Sequence, residues 1–168
     1  MRTAGTLKIA TLGDREILIT REFDAPRSLV FDAMTKPELL QRWLSGPPGW
    51  SMVECENDLH VGGTFRHVWH GPDGAAMSMH GVYREIVPPE RIVRTESFEF
   101  GCPSQMGEQV GTLVLTEPAA AGGRTKLTVT VLYPSKEARD ATIASGMERG
   151  VSAGYDRLDE LLMASAGR

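Results

Sequence analysis

Between Ser135 and Ala164 the larger apolar residues Ile143, Met147, Val151, Tyr155, Leu158, Leu161 and Leu162 recur at steps of three and four. That spacing marks one face of an α-helix. Arg139, Asp140, Glu148, Arg149, Asp156, Arg157, Asp159 and Glu160 fall on the opposite face, where charge is solvated. The pattern predicts one long amphipathic helix, with Ser135 as N-cap behind Pro134 and Glu137 in its first turn. Gly146, Gly150 and Gly154 stand in it at intervals of four. Each costs roughly 1 kcal/mol against alanine in a helix interior. The bare stripe admits close approach of another backbone or a slight bend, or else leaves room for a ligand between helix and sheet.

Upstream, the apolar period shortens to two. Glu16 to Phe23 alternates and predicts a strand, preceded by residues 1–15 as a loose or weakly paired N-terminal arm. Asp24-Ala25-Pro26 starts a short helix with Asp24 as N-cap and Leu29, Val30, Ala33 and Met34 as its apolar face. Thr35 and Glu38 match a capping box for a second short helix that packs through Leu39, Leu40, Trp43 and Leu44. After Gly46-Pro47-Pro48-Gly49, strands are expected over 50–55, 63–70, 76–86, 91–100, 109–117 and 125–133. Gly71-Pro72-Asp73-Gly74, Pro88-Pro89, Gly101 to Gly107 and Gly122-Gly123 separate several of them. Short connections between successive strands imply an antiparallel meander. The expected class is α+β: a curved antiparallel sheet of about seven strands wrapped round a long C-terminal helix, with two short helices after the first strand. One domain over 16–165 accounts for the whole pattern.

Composition narrows the function. A chain of 168 residues, 41% hydrophobic and 24% charged, builds one ordinary core. A net charge of −4 without a Lys/Arg cluster argues against nucleic-acid binding. No apolar run is long enough to insert in a membrane, and Met1 to Gly5 lacks a signal-peptide core, so a cytoplasmic location is expected. Cys55 and Cys102 read as free thiols in a reducing compartment.

Five segments in order carry a family resemblance: Arg21-Glu22-Phe23-Asp24-Ala25-Pro26; Pro37-Glu38-Leu39 running to Trp43; Val61-Gly62-Gly63; Pro88-Pro89-Glu90-Arg91-Ile92-Val93; and Gly150 with Tyr155-Asp156-Arg157-Leu158. Together they resemble the START-like, or SRPBCC, superfamily, in the branch related to the C-terminal domain of the activator of the heat-shock ATPase chaperone. The resemblance implies a helix-grip fold with a cavity between sheet and C-terminal helix. Such cavities take a hydrophobic or amphipathic small molecule, and lipid carriers, receptors and aromatase/cyclases share them. The expected function is therefore small-molecule binding, with no cofactor. A catalytic alternative is an aromatase/cyclase or hydrolase acting on a polyketide-like substrate. A third is a module that contacts the chaperone ATPase; since no N-terminal domain is seen before Glu16, the expectation is against a chaperone partner. A homodimer through a sheet edge or helix face is left open.

Alternation suggests which side chains meet inside. Phe65, His67 and Trp69 share one face of their strand, Met77, Met79, Gly81 and Tyr83 one face of the next, and Ile92, Arg94, Glu96 and Phe98 one face of the third. An inward Glu96 needs a partner, for which Arg94, His67 or Tyr83 stand near in sequence pattern. Glu96 would be a polar anchor or general acid/base, with His67 as second candidate; alternatively it only satisfies Arg94 in an ion pair near a strand end, and the other register makes it an exposed residue. The expected ligand-binding set is Trp50, His67, Trp69, Tyr83, Glu96, Phe98, Met147, Val151 and Tyr155. Trp43 reads as core, and Met77, Met79, Met106 and Met147 as adaptable packing. His60, His67, His70 and His80 form no ligand spacing with either cysteine, so no metal is expected. Neither a Gly-x-Ser-x-Gly elbow nor an activated cysteine is present, and Gly62-Gly63 opens a strand rather than a phosphate-binding helix.

Overall fold

The computed structural model describes residues 6–99, 107–117 and 123–166. Strands β1 (Lys8–Leu12) and β2 (Glu16–Phe23) precede helices α1 (Arg27–Thr35) and α2 (Pro37–Trp43). Strands β3 (Ser51–Asn57), β4 (Thr64–His70), β5 (Ala76–Val87), β6 (Arg91–Glu99), β7 (Gln109–Thr116) and β8 (Thr125–Leu132) follow, then α3 (Lys136–Ala144) and α4 (Met147–Ala166). All eight strands lie in one sheet, ordered β1-β2-β8-β7-β6-β5-β4-β3, with antiparallel neighbours throughout. β2 pairs with β8, so the chain returns to its first long strand before entering the C-terminal helices. The α+β helix-grip architecture is the one expected. Phe100, Cys102 and Met106 fall outside the described residues.

Three local readings are corrected. The N-terminal arm supplies an eighth strand: β1 pairs with β2 in continuous register from Lys8 opposite Thr20 to Leu12 opposite Glu16. Its weak hydrophobic pattern reflects its place at the sheet edge, where four of its five residues are exposed. Neither short helix uses the anticipated cap. Pro26 and Lys36 occupy the N-cap positions without a side-chain bond, and the Thr35 hydroxyl donates instead to the Phe31 carbonyl at 2.8 Å. The single C-terminal helix is two: Gly146 adopts φ +83°, a left-handed conformation that ends α3 and starts α4 in a new direction. Ser135 does cap α3, accepting from the Ala138 amide at 3.0 Å.

The core lies between the concave face of the sheet and the helices. Ile17, Ile19 and Phe23 face inward from β2, Leu115 from β7, Leu127 from β8 and Leu158 from α4, all nearly free of solvent. Each such side chain contributes about 1.5–3 kcal/mol by leaving water. Three arginines pin helices to neighbours through backbone and carboxylate acceptors. Arg139, expected in water, is buried and donates to the Glu16 carbonyl at 3.0 Å. Arg157 donates to the carbonyls of Trp43 at 2.9 Å and Gly46 at 3.2 Å. Arg21, fully buried on β2, reaches α4 at Asp156 (3.1 Å) and Asp159 (4.0 Å). Asp159 is thereby buried rather than solvated, while Ile143 is 41% exposed. The polar face of the helix is interrupted at Asp159, where Arg21 of β2 meets it.

Candidate functional site

The inner face of β6 carries Ile92, Arg94, Glu96 and Phe98 by strand alternation. Arg94 donates through Nε to Glu96 Oε2 at 2.9 Å, and Gln109 of β7 donates to Glu96 Oε1 at 2.8 Å. Both carboxylate oxygens are thus engaged. The Arg94 guanidinium lies 4.0 Å from the centroid of the buried Phe65 ring, a cation–π contact. On β7, directly across from Arg94, stands Gly111. A Cβ there would lie 2.8 Å from Glu96 Oε2. The glycine makes the space that the carboxylate occupies.

Depth and surface disagree at this pair in an informative way. Arg94 is deep enough that burial alone would lower its pKa, a tendency the charges of Glu96 and Tyr83 outweigh, so the net direction is upward. Yet the side chains of Arg94 and Glu96 keep 22% and 13% of their surface. Apolar neighbours on the inner sheet face behave the same way. Leu113 and Val129, cross-strand partners, are only half-buried, whereas Leu115, Leu127 and Val131 beside them are buried. From the helical side Met147, Val151 and Tyr155 are half-buried as well. Side chains of sheet and helix here face one another with part of their surface left open.

Four titratable groups around the Arg94–Glu96 pair, His67, Cys55, Tyr83 and Tyr155, are held uncharged near neutral pH. His67 is 1% exposed, and burial, with the Arg94 charge adding, pushes its pKa down to about 3. Neither ring nitrogen has a hydrogen-bond partner among the described residues. Its ring packs between Phe65, at 5.2 Å, and Trp69, at 5.9 Å. Burial, reinforced by Glu38 and opposed by Arg94, pushes the Cys55 thiol up to about 11. Burial likewise raises Tyr83 and Tyr155, with Glu96 contributing further at Tyr155. The Tyr83 hydroxyl donates to Asn57 Oδ1.

Of the residues singled out from the sequence, the structure gathers His67, Tyr83 and Glu96 around Arg94, with Phe98 on the same face of β6. Tyr155 stands across from them on α4, edge-on to Phe23 at 5.8 Å and near Trp43 at 6.0 Å. Met147 and Val151 pack with Ile17, Ile19 and Val131. Trp69 is core, its indole donating to the Leu44 carbonyl at 2.8 Å. Trp50 packs over Gly46, with its Cβ 3.1 Å from where a Gly46 Cβ would be, and against Gly71; none of these contacts involves the ion pair. Trp43 is core and donates to the Ala33 carbonyl at 2.8 Å. Of the three stripe glycines, Gly146 ends a helix, a Cβ at Gly150 would face open space, and one at Gly154 would lie 3.9 Å from the Trp43 ring. An open, mixed-polarity depression on this part of the surface is lined by Gly146, Glu148, Arg149, Ser152, Ala153 and Asp156, and by neither Arg94 nor Glu96. Sequence reasoning missed Gln109 and Gly111 because both belong to the site only through the β6–β7 register.

The wrapped antiparallel sheet and the helices laid on its concave face define a START-like, helix-grip protein of the SRPBCC superfamily. The chain belongs to the family of Activator of Hsp90 ATPase homolog 1-like proteins, whose model matches residues 24–163. A crystal structure of a Rhodobacter sphaeroides protein is 34% identical, covers 94% of this chain and 99% of its own, and superposes with a TM-score of 0.85. A solution structure from Arthrobacter aurescens is 25% identical, with coverage of 96% and 93% and a TM-score of 0.82. A protein of Nitrosomonas europaea, 24% identical over 94% of this chain and 99% of that one, shares the fold at a TM-score of 0.79. No curated protein matches the chain. Among the described residues no helix is long and apolar enough to cross a membrane, and no group of three or more His, Cys, Asp or Glu could hold a metal.

Proposed function

We propose that the protein binds a hydrophobic or amphipathic small molecule in the recess between its sheet and α4, in a cytoplasmic setting. The observation that carries this reading is the incomplete burial of inward-facing side chains. Arg94, Glu96, Leu113 and Val129 keep surface where the fold is deep, while Ile92, Leu115, Leu127 and Val131 on the same strands are buried. An apolar wall with a few convergent polar groups is the usual form of a small-molecule site. Membership in a fold family that houses such ligands agrees with it.

The test is Leu113→Trp combined with binding of the neutral dye N-phenyl-1-naphthylamine. A hollow interior accepts the larger ring, so the variant keeps its melting temperature and loses dye binding. A solid interior is overpacked at a cost of about 1–3 kcal/mol. A melting temperature that falls by several degrees, with no dye binding in the parent protein, rejects the reading.

A further inference from the structure

The ion pair in the recess restricts the charge of what can enter. Arg94 and Glu96 bring one positive and one negative charge, held 2.9 Å apart. The surrounding titratable groups, His67, Cys55, Tyr83 and Tyr155, are held in their uncharged forms by burial. Arg21, which enters from β2, faces two carboxylates of α4, the exposed Asp156 and the buried Asp159. The Arg94–Glu96 pair is neutral as a unit, but it is not featureless. Glu96 has a further lone pair on each oxygen beyond the bonds from Arg94 and Gln109. The Arg94 fork, beyond its Nε bond and a hydrogen bond to the Tyr83 hydroxyl, carries further terminal N–H donors, on a side chain that keeps 22% of its surface. Donor and acceptor sites lie side by side on one apolar wall.

We propose that the ligand is an uncharged amphipathic molecule whose polar end carries a hydroxyl and a carbonyl-type oxygen, the hydroxyl donating to Glu96 and the carbonyl accepting from Arg94. The proposal rests on the small-molecule reading above and adds the chemical class. A carboxylate, sulfonate or ammonium head would bring a third charge into a desolvated space whose two charges are already matched. An uncompensated charge in such surroundings is disfavoured far more than an unpaired neutral dipole. A purely hydrocarbon ligand would cover the Arg94 and Glu96 surfaces and leave their remaining donors and lone pairs unanswered. A neutral head with one donor and one acceptor answers both.

Two dyes with the same phenylaminonaphthalene frame supply the test: neutral N-phenyl-1-naphthylamine and the anionic 8-anilinonaphthalene-1-sulfonate. Affinity of the anion is read as displacement of the neutral dye, so attachment elsewhere on the surface does not register. The native protein is expected to take the neutral dye at least tenfold more tightly. In Glu96→Gln the recess becomes cationic, and the ratio of anionic to neutral affinity should rise at least tenfold. In Arg94→Gln, which serves if the first variant does not fold, the ratio should stay at or below the native value. Equal or tighter binding of the anion by native protein overturns the charge assignment but leaves the recess standing. Failure of the neutral dye to bind at all overturns both.

Discussion

Arg94 and Glu96, two residues apart on β6, are joined by a hydrogen bond of 2.9 Å beneath the C-terminal helix, and a glutamine from the next strand completes the carboxylate. The geometry makes the two charges mutually dependent. Removing either strands the other in a poorly solvated place, whereas removing both leaves little to desolvate. Arg94→Met and Glu96→Gln should each destabilise the fold by about 2–3 kcal/mol, below the usual range for a fully buried pair because both side chains retain surface. The double variant should lose less than the sum of the single losses. Urea unfolding of the four proteins closes the cycle, and strict additivity would show that the pair is solvent-screened.

Gly111 acts on the same carboxylate from the opposite strand. Alanine there would place a methyl group 2.8 Å from Glu96 Oε2, and the oxygen cannot retreat without loosening its bond from Arg94. Gly111→Ala should therefore cost about 1 kcal/mol, at the lower end of overpacking effects, and weaken neutral-dye binding. In a Glu96→Ala background the obstructing oxygen is gone and the same substitution should be close to neutral. An equal cost in both backgrounds would mean that backbone strain, not the carboxylate, sets the requirement for glycine.

His67 gives the fold a pH dependence of predictable sign. Its folded pKa of about 3 lies below the ordinary 6.5, so between those values the unfolded chain binds a proton that the native protein refuses. Stability is complete above pH 6.5 and declines as the pH falls toward 3, with a slope contribution of up to about 1.4 kcal/mol per pH unit. His67→Leu removes this component. It also removes two buried nitrogens that lack partners, a change worth about 1–3 kcal/mol in favour of the native state. Denaturation midpoints at pH 5 and pH 7 should accordingly converge in the variant. A variant less stable than the parent at both values would show that the imidazole contributes a favourable interaction.

The strands were legible because burial on one face imposes a two-residue period. The sequence Ile17, Ile19, Arg21, Phe23 places four side chains inward, and the structure buries all four, including the arginine. That arginine's partners were not legible, since Asp156 and Asp159 lie on what periodicity marks as a solvated helix face. Alternation also puts Arg94 and Glu96 on one side of β6. What it cannot supply is register between strands, and Gln109 and Gly111 enter the site through register alone. β1 escaped because an exposed edge strand needs no apolar alternation. The helix break escaped for the opposite reason: apolar residues keep helical spacing across it, from Ala138 through Met147 to Leu158, although the chain turns at Gly146.

Gly146 and Gly150 separate conformational need from helix propensity. Both have open space where a Cβ would go, so neither substitution creates a clash. Only Gly146 has a positive φ, +83°, at the junction of α3 and α4, whereas Gly150 lies within α4. Gly146→Ala forces a side chain into the left-handed region and should destabilise by about 1–2 kcal/mol. Gly150→Ala restricts the unfolded chain, fits a helical backbone and should stabilise by about 0.4–1 kcal/mol. Chemical denaturation of the two variants beside the parent should shift the midpoint in opposite directions. If Gly146→Ala instead stabilises, the C-terminal segment runs as one continuous helix in solution, and Met147 and Val151 would no longer be held against Ile17 and Ile19.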